Sequence, residues 1–168
     1  YQKTRRPQEL LTIANHILGK GQLSLAKYLF IVAQEDDANL DVQNEYVFFQ
    51  HLFSRVDWSR DLHFQTKTTM DTLDYSSTGE INEGSKVVCA AVGEKKRELC
   101  KDLSKLYLDD GLKPHLVMPG VLVVESEDVE SVKSKLEHLE LEGIALITLV
   151  DDSSFVAADI SNWLWVTF

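Results

Sequence analysis

The chain has 168 residues, of which 44% are hydrophobic and 26% charged, a composition typical of one soluble globular domain. Its 17 basic and 27 acidic residues give a net charge of −10, which argues against nucleic acid or an anionic membrane surface as a partner. No apolar run approaches the roughly 18 residues of a membrane span, so we expect a cytoplasmic protein. We expect Cys89 and Cys100 to be reduced, buried thiols.

The first half of the chain predicts a helix, then a strand–turn–helix unit, then two strands. Pro7 suits a first helical turn, and apolar residues follow at helical spacing until Gly19. The nearly all-apolar run Leu29–Ala33 predicts a strand covered on both faces, and an amphipathic helix that ends near Arg55 follows it. The remaining elements are a strand over Leu62–Thr69, a loop over Thr72–Gly84 and a buried strand over Lys86–Val92.

The second half alternates helices and strands. Its predicted elements are a helix over Glu94–Leu108, a strand over Val121–Val124, a helix over Glu127–Leu141 with Val129 inward, a strand over Ile144–Val150 and a helical run from Asp159. Such alternation indicates an α/β fold with three layers, α/β/α, around a mostly parallel or mixed central sheet. We take residues 1–168 as a single domain.

Two acidic turns are the best candidates for chemistry, because each follows a predicted buried strand. Asp36 and Asp37 follow the first, Asp151 and Asp152 follow the last, and their oxygens suit Mg²⁺ at the carboxyl edge of a sheet. With Lys86 on another strand, this pattern is similar to a phosphoacceptor receiver pocket. The alternative, which we favour, is a solvated loop whose carboxylates start helices.

Two further patterns concern structure. Asp57, Arg60 and Asp61 lie close to Arg55 and predict a local ion-pair cluster that fixes the loop after the helix. The stretch Leu29–Phe53 also has a weak echo in residues 145–168, which leaves open a duplicated unit.

The residues also resemble the C-terminal domain of UbiD-type decarboxylases over roughly residues 7–93. The matching features are an apolar strand with an acidic turn, a helix that ends in Arg55 before Asp57 and Asp61, the run T-T-M-D-T-L-D-Y-S-S, and Gly84-Ser85-Lys86. Residues 1–93 would form the family-matching core, and residues 94–168 would add further βα units. The family's acid shortly after G-S-K is missing here, where Val88 to Ala91 stand.

The resemblance implies non-oxidative decarboxylation of an aromatic, polyprenyl-hydroxybenzoate-like acid in ubiquinone or menaquinone biosynthesis. It implies prenylated FMN and a divalent metal (Mn or Mg) in other domains of the parent chain, so no catalytic residue is expected here. It also implies that this domain closes the substrate cavity, with Thr69, Met70 and Asp71 as candidate wall residues, and supports a homo-oligomer. Peripheral access to membrane-embedded quinone precursors would follow.

The ends of the sequence fit that interpretation. The chain starts without Met and stops inside the apolar pattern around Trp163 and Trp165, so we expect a piece of a longer polypeptide that is inactive alone. Two alternatives stay open. One is the receiver-like metal or phosphate-signalling domain, and the other is a purely structural module that docks through an exposed face carrying both tryptophans.

Overall fold

The computed structural model describes residues 6–71, 82–106, 108, 110–126, 128–137, 139 and 141–168. These residues form two compact units, which we describe separately. Unit 1 comprises Tyr1–Leu40 and Arg55–Lys96, and unit 2 comprises Asp41–Ser54 and Arg97–Phe168. Among the described helices, none is long and apolar enough to cross a membrane.

Unit 1 begins with helix α1, Pro7–Leu18, where the sequence predicts it. Pro7 occupies the first turn without cost because the amide that it lacks would have no helical acceptor there. The Glu9 carboxylate accepts a hydrogen bond from the backbone N–H of Arg6, which satisfies a donor at the helix start. The apolar stripe of α1 is buried at Leu10, Ala14 and Leu18.

The sheet of unit 1 has three strands, β1 (Tyr28–Val32), β2 (Leu62–Thr69) and β3 (Glu83–Ala91), in the order β1-β3-β2. β1 runs parallel to β3, and β2 runs antiparallel to it. All three strands were predicted. Helix α1 packs on one face of this sheet, against residues that include Leu29, Ile31, Val88 and Ala90.

Unit 2 contains a second three-stranded sheet, β4 (Pro114–Met118), β5 (Val121–Glu125) and β6 (Leu146–Val150), in the order β4-β5-β6. β4 and β5 form an antiparallel hairpin, and β6 runs parallel to β5. Helix α3 (Val129–Leu136) starts at Asp128, whose side chain accepts from the amide of Glu130. Val132 of α3 packs with Leu122 and Val124.

Three more α-helices are described, α2 (Glu45–Arg55), α4 (Ser153–Ala157) and α5 (Ile160–Thr167). All of α2 except Arg55 belongs to unit 2. Its Phe49 and Phe53 rings lie 5.4 and 6.2 Å from the ring of Trp163 in α5, edge to face. Trp163 is fully buried, and its indole N–H donates to the hydroxyl of Thr148. The prediction of an exposed docking face through both tryptophans is therefore wrong for Trp163, while Trp165 is 89% exposed.

The predicted helix over Glu94–Leu108 does not form. Residues 95–102 have no regular structure, and a 3₁₀ turn follows at Leu103–Lys105. The backbone of Cys100 is bonded to two turns instead: its N–H donates to the carbonyl of Gly143, and its carbonyl accepts from Gly120. Because these tertiary bonds use groups that a helix would pair internally, the helical spacing of the leucines did not decide the structure.

Several smaller expectations also need correction. The helix predicted over Glu127–Leu141 is shorter, and Val129 is 60% exposed at its start rather than inward. Strand β4 and helix α4 were not predicted. The predicted loop over Thr72–Gly84 lies mostly outside the described residues, and its last two residues, Glu83 and Gly84, belong to β3.

The α/β class is confirmed, with both parallel and antiparallel pairs, although the six strands described lie in two sheets of three rather than in one. The two sheets share one arrangement, a central strand between a parallel and an antiparallel neighbour. In the two stretches of the predicted echo, Asp41 corresponds to Asp159. The side chain of each accepts a hydrogen bond from the amide two residues later. A true duplication stays a prediction.

Candidate functional site

Two residues singled out from the sequence, Arg55 and Asp36, meet at Gly93, just after the end of β3. The Arg55 Nε donates to the carbonyl of Gly93 at 3.0 Å, and the N–H of Gly93 donates to the Asp36 carboxylate at 2.7 Å. Gly93 has a φ of +100°, which a residue with a side chain rarely adopts. Arg55 and the first acidic turn therefore fix the path of the chain as it leaves β3.

The loop after Arg55 is held by its own carboxylates. The side chain of Asp61 accepts from the backbone N–H of Asp57 at 2.8 Å, and the Asp57 side chain accepts from the amide and the hydroxyl of Ser59. Lys96 pairs with Asp57 at 3.1 Å. The hydrogen bond from the Ser59 hydroxyl and then that from Lys96 lower the pKa of Asp57 to about 2.

Asp61 is the buried centre of the same loop. Its side chain has no exposed surface, and the guanidinium of Arg60 forms a two-point contact with it. This hydrogen bonding raises the pKa of Arg60. Burial first, and then the charge of Asp61, raises the pKa of the Cys89 thiol to about 12. The predicted ion-pair cluster is thus present, and it holds backbone and core in place.

Lys86 lies at the other end of the sheet. Val87, the next residue, pairs with Tyr28 at the start of β1, whereas Asp36 follows the far end of β1. Lys86 is 5% exposed, and its ammonium donates to the carbonyl of Ser24. The receiver-like alternative needs this lysine beside an acidic turn, so the geometry of unit 1 contradicts it for the turn of Asp36 and Asp37. Ser85, its neighbour in the motif, is exposed.

The candidate wall residues lie at the end of β2 and just after it. Thr69 pairs with Glu83, and the N–H of Met70 donates to the carbonyl of Asn82 at 2.9 Å. Met70 is buried against Gly84, and Asp71 is exposed. Met70 therefore packs inside unit 1, and its part in a substrate pocket stays a prediction.

The acidic turns bind backbone amides. Asp37 accepts from Asn39, and Asp152 caps α4 by accepting from Phe155 at 2.9 Å, while Asp151 is exposed. Among the described residues, no group of three or more histidine, cysteine or acidic side chains is arranged to hold a metal ion. The described carboxylates of the two acidic turns are therefore not grouped around a metal position, and we assign no reaction step to a metal here.

Unit 2 adds two features that the sequence did not predict. Ser153 is fully buried, donates to the carbonyl of Lys113 and lies 3.2 Å from the Nδ1 of His115. Because its proton is committed to a carbonyl and its oxygen is inaccessible, this serine is not an activated nucleophile. An apolar groove of about 390 Å³ lies between α3 and β6, over Ile147 and Leu149. Only the tertiary structure places these residues together.

In the part of the chain that the structure describes, the side chains of Arg55, Asp61 and Lys86 bond to backbone groups. These bonds hold backbone segments of unit 1 in place. Residues 1–91 match the family model described as the 3-octaprenyl-4-hydroxybenzoate carboxy-lyase C-terminal domain. Because that match covers more than half of the chain, the chain belongs to the UbiD family through this C-terminal domain.

Curated relatives match almost the whole chain. A protein of Chlamydia pneumoniae, named as a subunit of 4-hydroxybenzoate decarboxylase, is 32% identical over 169 residues, which cover 99% of this chain and 28% of the relative. Uncharacterized proteins of Chlamydia caviae and Chlamydia trachomatis are 31% and 32% identical over 167 residues, with the same coverage. The chain thus spans about 28% of the length of these relatives.

Proposed function

We propose that this chain is the non-catalytic C-terminal domain of a longer carboxy-lyase that removes CO₂ from an aromatic acid. The observation that carries the proposal is the match of residues 1–91 to the family's C-terminal domain. The relative named as a subunit of 4-hydroxybenzoate decarboxylase supports the reaction class. We place the reacting groups in the part of the longer protein that corresponds to the 72% of that relative (100 − 28) not matched by this chain.

The finer parts of the proposal concern substrate, cofactor and assembly. The substrate would be a 4-hydroxybenzoate bearing a polyprenyl group, in ubiquinone or menaquinone biosynthesis. Prenylated FMN and a divalent metal would be held by the other domains. Within this chain, unit 1 would close the substrate cavity through Thr69, Met70 and Asp71, and the domain would support a homo-oligomer.

The scaffold geometry supports a positional role for the motif residues. Arg55 and Asp36 both bind the peptide groups of Gly93, and Asp61 holds the loop that follows Arg55. These contacts fix the ends of β1 and β3 relative to Arg55 within unit 1. A rigid support is what a domain that lines a cavity must supply.

The test compares three proteins: the complete gene product, a version that ends just before Tyr1 and so lacks this chain, and the isolated chain. With carboxyl-labelled 4-hydroxybenzoate and its prenylated analogue, we expect labelled CO₂ from the complete protein and none from the isolated chain. Undiminished release by the truncated protein would exclude the cavity-closing role. No release by the complete protein from either acid, under conditions that load the flavin, would exclude the reaction class.

A further inference from the structure

The sheet of unit 1 has two apolar faces, and α1 covers one of them. Leu29 and Ile31 of β1 and Val88 and Ala90 of β3 pack with α1. Because side chains alternate along a strand, the residues between them point to the opposite face. Helix α1 therefore covers one face of this sheet, and it does not cover the opposite face.

Strand register shows which residues form that opposite face. Val87 pairs with Tyr28 on one side and with Phe64 on the other, so these three residues form a row across the sheet. Cys89 pairs likewise with Phe30 and Leu62, which gives a second apolar row. We call this surface the aromatic face; it consists of Tyr28, Phe30, Leu62, Phe64, Val87 and Cys89.

The aromatic face is covered in its middle and open towards one end. Cys89 is 1% exposed, whereas Phe64 is 66% exposed and Tyr28 and Phe30 are half-buried. The rings of Tyr28 and Phe30 are stacked with centroids 6.5 Å apart. An apolar sheet face that carries aromatic side chains and is open to solvent at Phe64 is typical of a surface that another structure covers.

We propose that the aromatic face docks onto an apolar surface of the portion of the longer polypeptide that lies outside this chain. The inference rests on the proposed function, since it requires a parent protein. The relatives carry about 72% of their length outside the matched part (100 − 28), so a covering structure of sufficient size is available in the same polypeptide. The face leads along β2 directly to Thr69, where the proposed cavity wall begins.

Edge-to-edge pairing with a second copy is disfavoured at the same place. β2 is an edge strand, and its register with β3 shifts between Gln65 and Thr68. Lys67 lies inside that irregular stretch with a φ of 52°. A bulge and an exposed lysine are devices that keep edge strands from pairing with other chains. The β2 edge is therefore poorly suited to pair with another strand, whereas the aromatic face can still dock.

The test is hydroxyl-radical footprinting of Phe64 in the isolated chain and in the complete gene product. The isolated chain is first checked for a folded state by circular dichroism. Ile13 of α1, 38% exposed, is the matched control on the other side of the sheet. We expect Phe64 labelling to fall about fivefold or more in the complete protein, as for a residue that enters an interface core, with Ile13 labelling unchanged.

Three results would overturn the proposal: unchanged labelling of Phe64, equal protection of Phe64 and Ile13, or a gene product of only these residues. Protection of Phe64 that rises with the concentration of the isolated chain would assign the face to a second copy and would also overturn it. The readout does not depend on CO₂ release, so it separates this inference from the reaction class.

A pair of variants in the complete protein gives an independent measurement. Phe64→Glu should increase hydrogen exchange of β1 and β2, because a carboxylate cannot enter an apolar interface. Ile13→Glu should leave that exchange unchanged. If both variants exchange like the unsubstituted protein, the aromatic face does not dock and the proposal fails, even where an isolated chain does not fold.

Discussion

The thioether of Met70 lies where a β-carbon on Gly84 would stand, so these two residues are fitted to each other across β2 and β3. The close packing of Met70 therefore explains why glycine stands at the first position of the Gly84-Ser85-Lys86 motif. Met70 is buried because Gly84 leaves room for it. The motif glycine and the methionine are one structural feature, although fourteen positions separate them (84 − 70).

Gly84→Ala should lower the free energy of unfolding by about 1–3 kcal/mol, because the added methyl group displaces the Met70 side chain. Met70→Ala in the same protein should remove part of that penalty, so the two losses should not add. Urea denaturation of both single variants and the double variant measures this coupling. Strict additivity would mean that the two side chains do not compete for the same space.

Gly143→Ala should cost more than Gly21→Ala, although both glycines have positive φ. A β-carbon on Gly143 would approach the carbonyl of Glu98 and the amide of Cys100 at 2.6 and 2.7 Å, whereas one on Gly21 would meet nothing within 4 Å. We expect about 1 kcal/mol for Gly21, from backbone strain alone, and at least about 2 kcal/mol for Gly143. Thermal unfolding of the two variants decides; similar costs would contradict the close approach.

Trp163→Ala should lower the free energy of unfolding by about 3–5 kcal/mol, because it removes a buried aromatic ring and leaves a cavity. Trp165→Ala should change it by less than about 0.5 kcal/mol, since that side chain is exposed. Guanidinium denaturation followed by circular dichroism measures both. A larger loss of stability for Trp165→Ala than for Trp163→Ala would mean that Trp165, and not Trp163, is the buried side chain.

Lys86→Met should leave stability at neutral pH unchanged or raise it, because an apolar side chain of similar length avoids the burial of a charge. Burial lowers the pKa of Lys86 in the folded state, so the unfolded chain binds its proton more tightly. The free energy of unfolding that Lys86 contributes is therefore lost as the pH falls through the folded-state pKa. It returns as the pH rises to the unfolded-state value of 10.5.

Urea titrations between about pH 7 and 10 should show that the unsubstituted protein gains stability relative to Lys86→Met as the pH rises, since the other titrating groups are the same in both proteins. Lys67→Met is the matched control, since that side chain is 87% exposed. The same pH dependence in all three proteins would show that Lys86 is not desolvated.

The two cysteines should differ in reactivity. Cys89 is buried and its pKa is raised to about 12, so at about pH 8 the native protein should expose one reactive thiol, that of the half-buried Cys100. A raised folded-state pKa also means that Cys89 lowers stability as the pH rises above the unfolded value of 9.0. Iodoacetamide labelling with mass spectrometry checks the first point. Labelling of Cys89 in Cys100→Ser protein at the rate of Cys100 would contradict it.

The candidate site was predictable only in part. The close spacing of Asp57, Arg60 and Asp61 predicts local ion pairs because neighbours within a turn meet whatever the fold. The hydrogen bonds of Arg55 and Asp36 with Gly93 join residues 38 and 57 positions apart. Local sequence spacing cannot predict contacts over such separations. The separation of Lys86 from the acidic turn likewise depends on strand register.

The sequence by itself determined the α/β class, helix α1, strands β1 to β3 and the family resemblance, because apolar periodicity, helix-start residues and motif order are local properties. Only the tertiary structure decided that Leu99 and Cys100 lie outside any helix, that Trp163 is buried and Trp165 is not, and which apolar sheet face α1 leaves open. The physical reason is that such choices depend on where distant backbone groups and side chains supply hydrogen bonds and contacts, and local spacing carries no information about those partners.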